Sequence, residues 1–274
     1  MITLREILAS RGKLVALTCY DYPTALSLDA STVDLVLVGD SVGTNVLGYR
    51  DVSEVTMDDM LHHARAVRRG LKRASLLVDL PFNSYQTGEA AILNGKRLIE
   101  AGADMIKLEG GMELVAKIRA LRSENIRVVA HIGHTPQSHV GTRKVFGTTA
   151  SEIESLLEVS KQLQLAGSEA VLLECVPERV ATIISDRLDI PTIGIGSGSG
   201  CDGQIFVITD LLGWHHPNFR FSASFDDFRN RTVATANRFA HEVRDGVFPS
   251  ATQVYKVKDS ELQQALDAGQ EKDL

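Results

Sequence analysis

The sequence predicts a (β/α)8 barrel, an eight-stranded parallel sheet closed on itself and ringed by helices. Three observations point to it. Apolar runs of strand length recur eight times. Amphipathic segments of helical period fit between most of them. The runs themselves are near-continuous Val, Ile and Leu, as parallel strands covered on both faces require. The chain's 274 residues suit one such barrel, which commonly takes about 250. A doubly wound open sheet is the alternative that the same alternation allows.

In order, the predicted strands are 13–21, 33–40, 74–80, 104–110, 127–133, 169–176, 191–198 and 204–210. The intervening helical patterns cover 57–72, 88–102, 112–124, 151–167 and 176–188. Ser, Thr or Asp stands near several helix starts and Gly after several ends, the usual capping punctuation. The eighth run is also compatible with the start of a helix, and 134–150 is a long polar loop. Residues 1–255 are expected to form a single barrel domain. The stretch 256–274 reads as a charged C-terminal tail, helical or frayed.

Composition excludes several classes. Hydrophobic residues make up 44% and charged residues 23% of the chain, ordinary globular values. A net charge of −6 argues against a nucleic-acid partner. The one basic cluster, "RAVRRGLKR" from Arg65 to Arg73, has the spacing of a solvated helix face. No apolar run reaches signal-peptide or membrane-spanning length, so no membrane partner is expected. Three scattered cysteines give neither a metal-finger spacing nor a disulfide framework. The expectation is a soluble cytoplasmic protein.

Charged residues gather where the strands end. Asp21 closes the first run, Asp40 the second, Asp79 the third, and Lys107 with Glu109 the fourth. His131 lies in the fifth and Glu174 near the end of the sixth. In a parallel barrel all these ends open on one mouth. Asp40, Asp79 and Glu109 are hard oxygen donors, suited to an octahedral Mg2+ that keeps waters for a substrate to displace. Structural ion pairs around the rim, with Lys107 bridging Asp79 and Glu109, remain the competing explanation. Lys107 falls on the same strand face as Glu109 and can meet an anionic substrate. The turn "GDSVG" frees the Ser41 hydroxyl and nearby amides to hold a carboxylate. Glu174, in "VLLECV", has the most apolar setting of any carboxylate here, which suits a carbon-acid base, though it could equally accept from Lys107 or His131 and do nothing else. His131 reads as readily as a hydrogen-bonded core histidine. "GIGSG" at 194–198 offers either a weak phosphate cradle or a tight turn.

Eight ordered motifs then carry a resemblance: "LVGDSVG", "VTMDDMLHHARAV", "VDLPFNSYQ", "AGADMIKLEGG", "AHIGHTPQS", "VLLECVP", "IPTIGIGSG" and "CDGQIFVITDLLG". Over about residues 1–250 the chain resembles the ketopantoate hydroxymethyltransferases, (β/α)8 barrels related to phosphoenolpyruvate mutase and isocitrate lyase. That resemblance implies transfer of a one-carbon unit from 5,10-methylenetetrahydrofolate to 3-methyl-2-oxobutanoate, giving 2-dehydropantoate for pantothenate synthesis. It implies Mg2+ on Asp40 and Asp79, with Glu109 bound directly or through water. Ser41 and Lys107 would hold the 2-oxo acid, Glu174 would remove its C3 proton to give a metal-stabilised enolate, and Tyr20 and His131 would line the pocket. It also implies a homo-oligomer, typically a decamer.

Departures from the family pattern cluster in loops. "TPQSHVGTRKVFG" is shorter than usual and lacks a Gly-Gly-Tyr, His134 replaces a leucine, "IGIGSG" replaces "IGIGAG", and "NFRFSASF" replaces a more basic run. These changes leave two alternatives open. One is a paralogue forming C–C bonds on another 2-oxo acid; the other is a non-catalytic barrel that binds a small acid.

Overall fold

The computed structural model describes residues 2–139, 141, 144–214 and 219–270. The chain forms two compact units, Met1–Asp226 and Asp227–Leu274. The first is a closed barrel of eight strands in chain order. They are β1 (Leu14–Thr18), β2 (Leu35–Val38), β3 (Ser75–Asp79), β4 (Met105–Glu109), β5 (Val128–Gly133), β6 (Ala170–Glu174), β7 (Thr192–Ile195) and β8 (Gly203–Phe206). Each is parallel to its neighbours, and β8 pairs back onto β1. The helices of this unit are α1 (Leu4–Arg11), α2 (Tyr22–Asp29), α3 (Met57–Gly70), α4 (Gly88–Glu100), α5 (Leu114–Ser123), α6 (Ala150–Leu165), α7 (Glu178–Arg187) and the short α8 (Ile208–Leu211). The predicted barrel is therefore the observed one.

Local chemistry explains the element ends. Thr56 and Thr149 cap α3 and α6, each in a reciprocal box with an acidic residue three positions on. The eighth apolar run divides because the Ile208 amide donates to the Thr18 hydroxyl, at 3.0 Å, rather than continuing a strand ladder. Asp21 turns out to be a helix cap: it is exposed and accepts from the Thr24 amide at 2.8 Å. The basic cluster is solvated only in part. Arg68 pairs with Asp104 at 3.2 Å, and Arg73 donates to the carbonyls of Asp29, Ser31 and Val33.

Two apolar layers carry the fold. Outside the sheet, Met60, Ala64 and Val67 of α3, Leu98 of α4, Ile118 of α5 and Ile184 of α7 share one buried cluster with Val36, Val78, Ile106 and Val171. Inside the barrel, Leu35, Leu77, Met105, Val129, Ala170, Leu172 and Ile193 form a second, joined by Leu4 and Ile7 of α1. That helix thus closes the end where the strands begin. Fully burying one such side chain stabilises by about 1.5–3 kcal/mol, so the inner layer is a packed floor.

Side chains alternate along a strand with period two. Two positions beyond the floor residues Leu77, Met105, Val129 and Leu172 stand Asp79, Lys107, His131 and Glu174, and Glu109 lies two beyond Lys107. The register sets Asp79 beside Lys107 and Glu109 beside His131. An apolar floor below a charged layer follows directly from where each run stops being hydrophobic.

The second unit holds α9 (Phe228–Arg244) and α10 (Asp259–Gln270). The Phe239 and Phe248 rings meet edge-on, 5.2 Å apart, and no residue of α9 is buried. Among the described residues, no helix is long and apolar enough to cross a membrane.

Candidate active site

The charged layer draws five strand ends together. Lys107 Nζ lies 3.2 Å from Asp79 Oδ1 and 3.8 Å from Glu109 Oε2. His131 lies between two carboxylates, with Nδ1 3.1 Å from Glu109 Oε2 and Nε2 3.2 Å from Glu174 Oε2. Asp40 follows β2, and its backbone amide donates to Asp79 Oδ2 at 3.1 Å. Gly39 leaves room for the Ser41 hydroxyl, since a Cβ there would stand 3.0 Å from Ser41 Oγ. Tyr20 OH and Ser41 Oγ share a hydrogen bond of 2.8 Å.

The predicted residues Asp40, Asp79, Lys107, Glu109, His131 and Glu174 are thus linked by direct contacts or short chains of them. Asp40, Asp79, Lys107, Glu109 and His131 are all buried, whereas the Glu174 side chain keeps 14% of its exposure. Its neighbour Cys175 adopts φ +52°, a left-handed conformation uncommon outside glycine. The chain therefore turns away immediately after Glu174. Gly133, at φ +96°, makes room for that turn: the His134 amide donates to the Glu174 carbonyl at 2.8 Å, and a Cβ on Gly133 would stand 2.3 Å from the same oxygen.

Electrostatics separate the metal and ion-pair explanations. Lys107 does bridge Asp79 and Glu109, as the structural explanation requires. Burial opposes its charge, but Asp79, Glu109 and Asp40 outweigh burial and raise its pKa. For His131, burial and Lys107 oppose protonation, yet hydrogen bonding to Glu109 and Glu174 pushes it up to about 9. Glu109 is held below its usual range, since His131, Lys107 and the Gln137 amide together overcome its burial. Asp40 stays uncompensated. Burial, then Asp79 and Glu109, push it up to about 8 from an ordinary 3.8. Four carboxylates face two cations here, so full ionisation leaves an excess of two negative charges. A proton on Asp40 removes one of these charges, and a cation bound beside it would offset both.

Among the described residues, no three His, Cys, Asp or Glu side chains converge closely enough to hold a metal by themselves. Both Glu109 oxygens are engaged, Oε1 by the Gln137 amide at 2.6 Å and Oε2 by His131. Asp79 is engaged too, Oδ1 by Lys107 and Oδ2 by the Asp40 amide, and Asp40 Oδ2 accepts from Gln137. So few open carboxylate oxygens fit a largely hydrated ion such as Mg2+, which needs only one or two.

Comparison with known proteins agrees with this reading of the barrel. Residues 1–251 match the family model for ketopantoate hydroxymethyltransferase. The chain belongs to the ketopantoate hydroxymethyltransferase family. A 3-methyl-2-oxobutanoate hydroxymethyltransferase of Acetivibrio thermocellus is 47% identical over 262 residues, which is 90% of this chain and 89% of that protein. One from Enterococcus faecalis is 42% identical, covering 96% and 97%. At the level of fold, a phosphoenolpyruvate phosphomutase from Streptomyces platensis subsp. rosaceus superposes with a TM-score of 0.62 at 14% identity, covering 98% of this chain and 96% of that one. A phosphonopyruvate hydrolase solved with oxalate and Mg++ gives 0.61 at 13%, covering 98% and 97%.

Two further residues of this ketopantoate hydroxymethyltransferase-family barrel enter the site without having been singled out from sequence. Gln137 donates its side-chain amide to Asp40 Oδ2 at 2.7 Å, and Tyr85 OH donates to Gln137 Oε1 at 2.5 Å. Only their place in "HTPQS" and "PFNSYQ" could have drawn attention to them. The "GIGSG" segment is a tight turn: Ser197 Oγ accepts from the Val176 amide and donates to the Leu173 carbonyl, and Phe221 lies against Gly196. His134, the departure nearest the mouth, is buried with Nδ1 unpartnered. Of the altered loop, residues 140, 142 and 143 lie outside the described residues.

Proposed function

We propose that this enzyme transfers the one-carbon unit of 5,10-methylenetetrahydrofolate to 3-methyl-2-oxobutanoate, with Mg2+ as its metal. The observation that carries the reading is Asp40. It is a buried carboxylate beside Asp79 with no ion-pair partner among the described residues, and it sits at the mouth of a barrel whose other charges pair off. Asp40 and Asp79 would hold the metal, with Glu109 bound to it directly or through a water. When bound, Mg2+ supplies Lewis-acid polarisation of the substrate's 2-oxo group.

The chain's own residues do the rest. Ser41, oriented by Tyr20, donates to the substrate carboxylate, and the Lys107 ammonium balances its charge. Glu174, beside His131 at 3.2 Å, takes the C3 proton. His131, charged between Glu109 and Glu174, ties the position of the base to that of the metal-side carboxylates. Water adds to the donor's methylene carbon and its two C–N bonds break, releasing tetrahydrofolate and leaving that carbon as formaldehyde. The C3 carbon, left with the electron pair, attacks it. The proton held by Glu174 passes to the resulting alkoxide to give the hydroxymethyl group.

Membership of the family supports a homo-oligomer. Light scattering after size exclusion tests this, and a monomer would refute it. For the reaction itself, the purified protein should form 2-dehydropantoate from 3-methyl-2-oxobutanoate and the folate donor with Mg2+, and should lose that activity with chelator. Turnover confined to a different 2-oxo acid would favour the paralogue reading, with His134 as the first residue to exchange.

A further inference from the structure

The geometry points to Gln137, held in one orientation by Tyr85, as the positioning residue that fixes Asp40 and Glu109 for metal binding. This inference rests on the metal reading above and assigns the residue that pre-shapes its carboxylates.

Gln137 is buried, and its backbone amide, its side-chain NH2 and its Oε1 are all engaged within the site. Its backbone amide donates to Glu109 Oε1 at 2.6 Å. Its side-chain NH2 donates to Asp40 Oδ2 at 2.7 Å and to the Leu80 carbonyl at 3.1 Å. Its Oε1 accepts from Tyr85 OH, which also lies 3.0 Å from the Glu109 carbonyl. One loop residue after β5 thus ties a carboxylate at the end of β2 to one at the end of β4. Asp79, between them, is joined to Asp40 through the Asp40 amide.

The amide has only one workable orientation. Flipping it would set its carbonyl against the Leu80 carbonyl and the ionised Asp40 carboxylate. Asp40 Oδ2 is therefore held by a fixed donor, leaving Oδ1 to turn toward a cation. Charge matters as much as geometry. Glutamine restrains Asp40 without neutralising it, whereas lysine or arginine at this position would satisfy the carboxylate and compete with the metal. Outer partners of this kind typically change metal affinity by about 10–100-fold when removed.

The test is Mn2+ binding followed by electron paramagnetic resonance, with Mg2+ competition, on wild type, Gln137→Met and Tyr85→Phe. Chelated samples are melted in parallel. Wild type should bind. Gln137→Met, close in shape but without donors, should weaken Kd by about 10–100-fold, and excess metal should recover most of its occupancy. Tyr85→Phe should weaken Kd by about two- to tenfold, the scale of one hydrogen bond. A Gln137→Met affinity within twofold of wild type overturns the role, even if its melting temperature falls, because that pattern marks a purely structural residue. Should Gln137→Met fail to fold, an unchanged Kd in Tyr85→Phe overturns the role by itself. Failure of wild type to bind either metal would instead refute the metal reading on which this inference stands.

Discussion

If Asp40 is a metal ligand, as proposed, metal affinity must depend on pH, and the size of the effect follows from its surroundings. Burial and the neighbouring Asp79 and Glu109 place its pKa at about 8, against 3.8 ordinarily. A metal ligand must be ionised, so Mg2+ must displace the proton that Asp40 holds below that pH. The ionised fraction is about 1% at pH 6 and about one-half at pH 8, so the apparent affinity should rise roughly fifty-fold across that interval. Titration calorimetry at pH 6, 7 and 8, in two buffers of different ionisation enthalpy, reads both affinity and proton release. Close to one proton should leave per metal at pH 6 and about one-half at pH 8. The same shift acts on metal-free stability. Between 3.8 and about 8 the folded state holds a proton that the unfolded state has lost, so this contribution to stability falls as pH rises through the window and levels off above it. Asp40→Asn should abolish that slope. An affinity flat from pH 6 to 8 with no proton release would refute the assignment of Asp40 as an uncompensated ligand.

Further perturbations test the other parts of the site. Glu174→Gln should retain 2-oxo acid binding and reduce turnover by about 10²–10⁴; near-normal turnover in steady-state assays would remove Glu174 as the base. Lys107→Met leaves Asp79 and Glu109 without their shared cation, so chelated protein should lose about 3–5 kcal/mol in urea unfolding. The KM for the 2-oxo acid should rise in the same variant, and an unchanged KM would confine Lys107 to structure. Gly133→Ala forces a Cβ to within 2.3 Å of the Glu174 carbonyl at φ +96°. It should cost about 1–3 kcal/mol and lower kcat through displaced Glu174, and a wild-type melting curve would contradict the described turn.

The sequence carries the barrel because each strand is an apolar run, and it carries the charged layer because each run ends in residues that burial would otherwise exclude. Lys107, Glu109, Asp79 and Glu174 are legible for that reason: charge inside an apolar run is costly and therefore conspicuous. Asp21 shows the limit of the rule. An aspartate after a strand serves equally as the cap of the following helix, and the Thr24 amide decides which it is. Gln137 and Tyr85 leave no such mark. Neutral polar side chains fit a loop as easily as a site, and Gln137 meets Asp40 only because the barrel brings together positions 97 residues apart. The turn at 194–198 was open between two readings because the neighbours that demand its glycines, Phe221 and Glu178, are supplied by tertiary structure.

The central claim is that Asp40 and Asp79 hold a metal that lets Glu174 ionise the C3–H bond of a 2-oxo acid. Incubating the protein with 3-methyl-2-oxobutanoate and Mg2+ in D2O, without any one-carbon donor, tests it by NMR. The C3 proton signal should be lost, and both chelator and Glu174→Gln should abolish that loss. Retention of that proton by Mg2+-loaded wild type, or exchange that persists in Glu174→Gln, would contradict it.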